Sequence, residues 1–156
     1  MLVRAPVRPT GLLAVRGHRV FGIAPHAARA IDVALESRRF SARRAGAGWE
    51  IDGRPASAGT ADALDDLLGT LSGLRAVDSF RSRDGSSYGL EHPRATIEVT
   101  TARRTRRVVI GDPNAAGSTF YARRQGDARI VQVGSALLGS LERVFFNRDG
   151  PRGTGS

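Results

Sequence analysis

Cysteine and lysine are both missing from this sequence. Without cysteine there is no disulfide, no thiol nucleophile, no iron–sulfur cluster and no cysteine-ligated zinc. Without lysine there is no Schiff-base chemistry and no phosphate-loop lysine. All 24 basic residues are therefore arginine. A chain shaped by phosphate binding would ordinarily mix the two cations, because lysine also serves as a point-charge contact. The bias reads as one of coding composition. Long apolar runs are missing too. The longest early one, Leu12 to Val15, falls far short of the roughly 7–15 residues of a signal-peptide core and of the roughly 20 needed to span a bilayer. The sequence reads as that of a soluble domain, with its compartment left open.

What is present is enough for one globular domain. The 156 residues can bury a real core, since a domain near that size hides roughly 70% of its unfolded surface. Charge is uneven within the net +9. Residues 1–48 hold nine Arg against Asp32 and Glu36, residues 49–102 hold five Arg against nine acids, and residues 103–156 hold ten Arg against four acids. A bipolar surface follows, with its acidic part near the first helix.

Residues 1–18 and 147–156, rich in Pro, Gly and Arg, read as a flexible arm and a flexible tail around a domain at 19–146. Arg19 to Ile23 is a short strand candidate. Ile31, Val33 and Leu35 alternate with Asp32, Ala34 and Glu36, the period of a half-buried strand. Arg38–Arg44 and Trp49–Asp52 flank a Gly-containing loop as a hairpin. Leu64, Leu67, Leu68, Leu71 and Leu74 form one stripe of a helix at about 60–74, with Thr60 as cap and Asp62 in its first turn, where a carboxylate suits the helix dipole. Ala95, Ile97 and Val99 alternate again, and Arg106–Ile110 follows. Gly111-Asp112-Pro113-Asn114 is a turn. Thr119–Arg123 and Ile130–Val133 flank Gln125-Gly126-Asp127 as another hairpin. A last helix, about 135–145, presents Leu137, Leu138, Leu141, Val144 and Phe145. The order implies an α+β fold: a mostly antiparallel sheet built from hairpins, with two amphipathic helices on one face.

Candidate chemistry is thin. Gly85-Ser86-Ser87-Tyr88-Gly89 fits the G-x-S-x-G pattern of a nucleophile elbow, but Pro93 disfavours the helix that must follow. The histidines, His18, His26 and His92, show no paired metal-ligand spacing. Asp62, Asp65 and Asp66 could share a cation, although a solvated helix face uses the same residues. Gly46-Ala47-Gly48 precedes no helix and is no dinucleotide loop. The pairs Arg38-Arg39, Arg43-Arg44, Arg103-Arg104, Arg106-Arg107 and Arg123-Arg124 could form a phosphate-binding patch. Strand alternation, however, sends the two members of each pair to opposite faces, and no nucleic-acid-binding signature accompanies them. No catalytic residue, cofactor or metal ligand is expected, and nucleic acid is not the expected partner. A basic nucleic-acid or polyanion-binding domain is the alternative that the charge suggests.

One ordered set of short motifs is more specific: Trp49 after the strand pair, Leu64 to Leu71, Tyr88-Gly89-Leu90-Glu91-His92-Pro93, Ala95 to Val99, Ile110-Gly111-Asp112-Pro113, Tyr121-Ala122-Arg123 and Leu137-Leu138. In this the chain resembles the bacterial domain-of-unknown-function family 4340 over about residues 19–145. Its structural signature would be Trp49, Tyr88, Gly89, Leu90, Pro93, Gly111, Asp112 and Tyr121. Gly89 can adopt a left-handed conformation and Pro93 fixes φ, so Tyr88 and Leu90 would pin the passage from helix to sheet. The resemblance implies a non-enzymatic accessory or scaffold domain, often encoded beside an ABC-type transport system. Such proteins usually carry an N-terminal membrane helix and lie outside the cytoplasm, often with two copies of the domain. This sequence shows one copy and no membrane helix. The implied partners are proteins, transporter components among them, and the implied location is extracytoplasmic or at the envelope.

Overall fold

The computed structural model describes residues 20–74, 78–81, 88–127 and 129–149. The expected arm at 1–18 lies outside them, as do residues 150–156 of the expected tail. Nine strands are present: β1 (Ala30–Leu35), β2 (Arg38–Ala45), β3 (Gly48–Ile51), β4 (Arg54–Pro55), β5 (Asp78–Arg81), β6 (Ala95–Thr100), β7 (Thr105–Pro113), β8 (Thr119–Arg124) and β9 (Arg129–Gly134). The helices are α1 (Ala58–Gly73) and α2 (Ala136–Asp149). The strands form one sheet in the order β4-β3-β2-β1-β6-β7-β8-β9-β5. Every neighbouring pair is antiparallel. The fold is α+β, an antiparallel sheet with two helices, as the sequence implies.

Alternation decides which side of the sheet is covered. Ile31, Val33, Leu35, Ile97, Val99, Val108 and Ile110 share one face, and register sets them side by side: Val33 lies opposite Phe40 and Ile97, and Ile97 opposite Val108. Leu64, Leu67, Leu68 and Leu71 of α1 and Leu137, Leu141, Val144 and Phe145 of α2 join them in one buried cluster. Phe40 meets Phe145 edge to face at 5.1 Å, the arrangement that ring quadrupoles favour.

Several elements differ from expectation, each for a local reason. Ser57, not Thr60, caps α1: its hydroxyl accepts from the Thr60 N–H at 3.2 Å while Thr60 itself is buried. The helix starts early enough that Asp62 falls beyond its first turn, which holds no acid. Of the strand expected from Arg19 to Ile23, Arg19 lies outside the described residues and residues 20–23 form no strand: the chain bends there, with Gly22 at φ +64° and the Val20 N–H bonded to the Leu74 carbonyl, and a 3-10 turn follows at Pro25–Ala27. Gly111 to Pro113 continues β7 through a bulge, and the turn begins at Asn114, whose Oδ1 accepts from the N–H groups of Ser118 and Thr119. α2 runs to Asp149, into the stretch expected as tail. There Arg148 donates to the Arg39 carbonyl at 2.7 Å and pairs with Asp52 at 3.2 Å. The edge strands β4 and β5 are short and carry no apolar alternation to announce them.

Leu67 is fully buried between the sheet and α2. Leu67→Ala should lower unfolding free energy by about 2–5 kcal/mol, and Ser57→Ala by about 1 kcal/mol, both measurable by urea denaturation.

Candidate functional site

The topology creates one demanding connection. β5 is the outermost strand beyond β9, whereas the next strand, β6, lies beside β1 in the middle of the sheet. The chain between them must cross β9, β8 and β7. Residues 82–87 of that connection lie outside the described residues, and the Tyr88–Leu90 turn, on the face opposite the helices, is where it touches down on β7.

That touchdown is a backbone-on-backbone contact. Gly89 has φ +75°, a region that side chains rarely tolerate. A Cβ on Gly89 would stand 2.5 Å from Asp112 Oδ1 and 2.9 Å from the Asp112 nitrogen. A Cβ on Gly111 would overlap the Tyr88 carbonyl oxygen and lie 2.9 Å from the Gly89 carbonyl carbon. Alternation places Gly111 on the same outer face as Val109. On that face Tyr88 and Tyr121 meet edge to face at 4.8 Å. Leu90, next to Val109, is buried outside the main core, as is Ile130. Strand alternation puts Ile130 on this face as well, so the crossing segment caps a small second apolar layer over β7–β9. Beyond it, Arg94 N–H bonds to the Ile110 carbonyl at 2.7 Å, and the Arg94 carbonyl receives the Glu36 N–H at 2.8 Å. Pro93 is half-buried, just before these anchors, while Glu91 and His92 project into solvent.

Trp49 serves the other side. It is buried, its Nε1 donates to Asp65 Oδ1 at 3.1 Å, and the Arg44 guanidinium stacks on its ring at 4.3 Å. Arg44 also donates to the carbonyls of Ala28 and Pro25 and approaches Asp65 at 3.7 Å. One cation thus ties β2, β3, α1 and the 3-10 turn together.

The remaining candidates fall apart in space. Asp65 turns to Trp49, Asp66 pairs with Arg143 on α2 at 2.5 Å, and Asp62 faces solvent. Among the described residues no group of three potential metal ligands converges. His26 lies in the 3-10 turn and His92 in the crossing segment. His18 and Gly85 to Ser87 lie outside the described residues. Gly46-Ala47-Gly48 is the β2–β3 turn, with Gly46 at φ +59°. Arg38 pairs with Glu142 at 2.9 Å and lies over Phe145, a role that sequence spacing did not reveal. The β1, β2 and β6 region of the outer face stays open. It forms a shallow polar concavity of about 340 Å³ whose lining includes Asp32, Ser41, Thr96, Glu98 and Arg107. Ser41 Oγ donates to Asp32 there, and Arg107 approaches Glu98 at 3.9 Å.

At the β8–β9 turn the Arg129 N–H donates to Asp127 Oδ1 at 2.9 Å. That bond, helped by the guanidinium groups of Arg129 and Arg124 and opposed by burial, holds the Asp127 carboxyl below its ordinary range. A depressed acid contributes stability above its unfolded value, near 3.9, and loses it as pH falls through the lower folded value. Asp127→Asn should therefore be less stable than the parent at neutral pH, and the difference should close in strong acid. Gly111→Ala should cost on the order of 3 kcal/mol, because backbone rather than a flexible side chain occupies the space. Hydrogen exchange should show the loss first in β7–β9.

Comparison with curated proteins and with solved structures yields no match. A family model does match, over residues 49–147, a span that begins at Trp49 and takes in α1, the crossing segment and all but the last two residues of α2. The chain belongs to the family described as Domain of unknown function (DUF4340).

Proposed function

We propose that this domain is a non-enzymatic accessory or scaffold module that binds a protein partner, a component of an ABC-type transport system at the cell envelope. The observation that carries this reading is the use to which the signature residues are put. Trp49, Tyr88, Gly89, Leu90 and Gly111 are engaged in packing, so what the motif preserves is a shape. The shape presents an open, polar sheet face beside the capped one. A concavity of about 340 Å³ with both carboxylates and arginine in its lining suits a polar protein surface, with rim charges setting register and specificity. The transporter link rests on the family resemblance. No helix among the described residues is long and apolar enough to cross a membrane.

Affinity capture from the native host tests the reading. The tagged domain should recover envelope protein, transporter components among them. Thr96→Arg, which fills the concavity while leaving the core untouched, should reduce that recovery at least about tenfold, since an unmatched charge at an interface costs over a kcal/mol. Recovery of nucleic acid alone would overturn the proposal.

A further inference from the structure

Arg104, Arg106 and Arg124 converge at the end of the sheet where β7 begins and β8 ends. Val108 lies opposite Arg124, so Arg106, two residues earlier on β7, shares the face of Arg124. The two are diagonal neighbours, a relation that spans roughly 7–8 Å. Arg104 approaches from the β6–β7 loop. Thr101 fixes that loop, its hydroxyl oxygen accepting from the N–H groups of Arg103 and Arg104 at 3.2 Å each. With Thr105, Arg107 and Gln125 the three arginines line an open cavity of about 340 Å³.

Positive charge here is poorly compensated. Arg124 shares Asp127 at 3.7 Å with Arg129 at 3.6 Å, and Arg107 reaches Glu98 at 3.9 Å. Among the described residues no ion pair engages Arg104 or Arg106. The Arg106 Nε is buried with no hydrogen-bond partner. Burial, then the charges of Arg124 and Arg104, pull the Arg106 guanidinium below its ordinary range. An arginine does not give up its proton under such pressure, so the repulsion stays in the folded protein until an anion relieves it. Arg104 also borders a second cavity, about 540 Å³, with His26, Arg29 and Arg103 in its wall. The positive field therefore extends past the cluster.

We propose that the cavity bounded by Arg104, Arg106 and Arg124 binds a phosphate-type oxyanion, supplied either as free phosphate or as the headgroup of an anionic phospholipid. Guanidinium groups present paired N–H donors that match the oxygens of such an anion, and charge-assisted bonds of this kind are the strong ones. Binding weakens with salt, because the cluster is open to solvent.

Inorganic phosphate titrated into the protein at low ionic strength, followed through the arginine Nε–Hε resonances, reads the site. Saturable shifts at Arg104 and Arg106 are expected. Arg104→Gln and Arg106→Gln should each weaken binding by about tenfold, the loss of one hydrogen bond between charged partners. Arg54→Gln, on edge strand β4 far along the sheet, should leave it unchanged. Arg106 is half-buried and its replacement can disturb folding; Arg104 is exposed and carries the test alone. Flotation with phosphatidylglycerol vesicles against phosphatidylcholine vesicles separates the sources. Flotation with the anionic lipid only, competed by free phosphate, assigns the headgroup. Saturation by phosphate without flotation assigns the free anion. Absence of both, or binding that Arg54→Gln weakens as much as Arg104→Gln does, overturns the proposal.

Discussion

The close approach of the Tyr88–Gly89 backbone to Gly111 is the constraint on which the arrangement of the sheet turns. A chain that leaves an edge strand and must re-enter the sheet beside β1 has to pass over three strands. It can pass closely only where neither backbone carries a side chain at the crossing point. Gly89 and Gly111 meet that condition from the two sides, and the bulge in β7 next to Gly111 bends the strand where the crossing occurs, as bulges do. Once the turn is seated, Leu90 covers the outer face of β7–β9, and the Arg94 backbone bonds lead the chain into β6. The division of the outer face into a segment-covered patch and an open polar region follows from that single contact.

The two ends of the domain are fastened by different physics. Apolar burial joins α1 and α2 to the sheet, and it supplies most of the stability because it scales with area. The arginines act as local fasteners. Arg44 links Trp49, Asp65 and the 3-10 turn, while Arg148 links α2 to β2 and Asp52. Exposed ion pairs contribute little individually. Those in which the guanidinium also stacks on a ring and bonds to backbone carbonyls fix geometry more than their charge alone would. An all-arginine complement suits this use, because the flat guanidinium can stack and fork at once where an ammonium cannot.

The same residue type makes the opposite kind of surface at the end of the sheet where β7 begins and β8 ends. Around Arg104, Arg106 and Arg124 few carboxylates are in reach, and like charges are held together by the register of β7 and β8. Arg124 pairs with Asp127 and donates to the Val20 carbonyl, but folding gains nothing from the mutual repulsion of the three arginines. A protein surface that keeps an unrelieved charge cluster in a concavity differs in kind from the mixed-charge region over β1, β2 and β6, and the two regions invite different partners.

The strand and helix inventory was legible in the sequence wherever apolar periodicity was strong: β1, β2, β6 and both helices follow directly from positions such as Ile31, Val33, Leu64 and Leu141. The ordered motifs carried the family and marked the Tyr88–Pro93 segment as special. Periodicity gave no sign of β4 and β5, which are too short to alternate, and taking Thr60 as the cap left Ser57 unseen. What the sequence could not settle is which residues meet across strands, because register depends on the packing of the whole sheet. Alternation correctly separated Arg106 from Arg107 and Arg123 from Arg124, but only the pairing of Val108 with Arg124 brings Arg106 and Arg124 to one face. Likewise the glycine at 111 reads locally as part of a turn, and only the tertiary crossing of Tyr88 and Gly89 above it explains why no side chain fits there. Local sequence determined the elements through their periodicity; the tertiary structure alone decided the close contacts, since those arise between segments that the chain brings together from far apart.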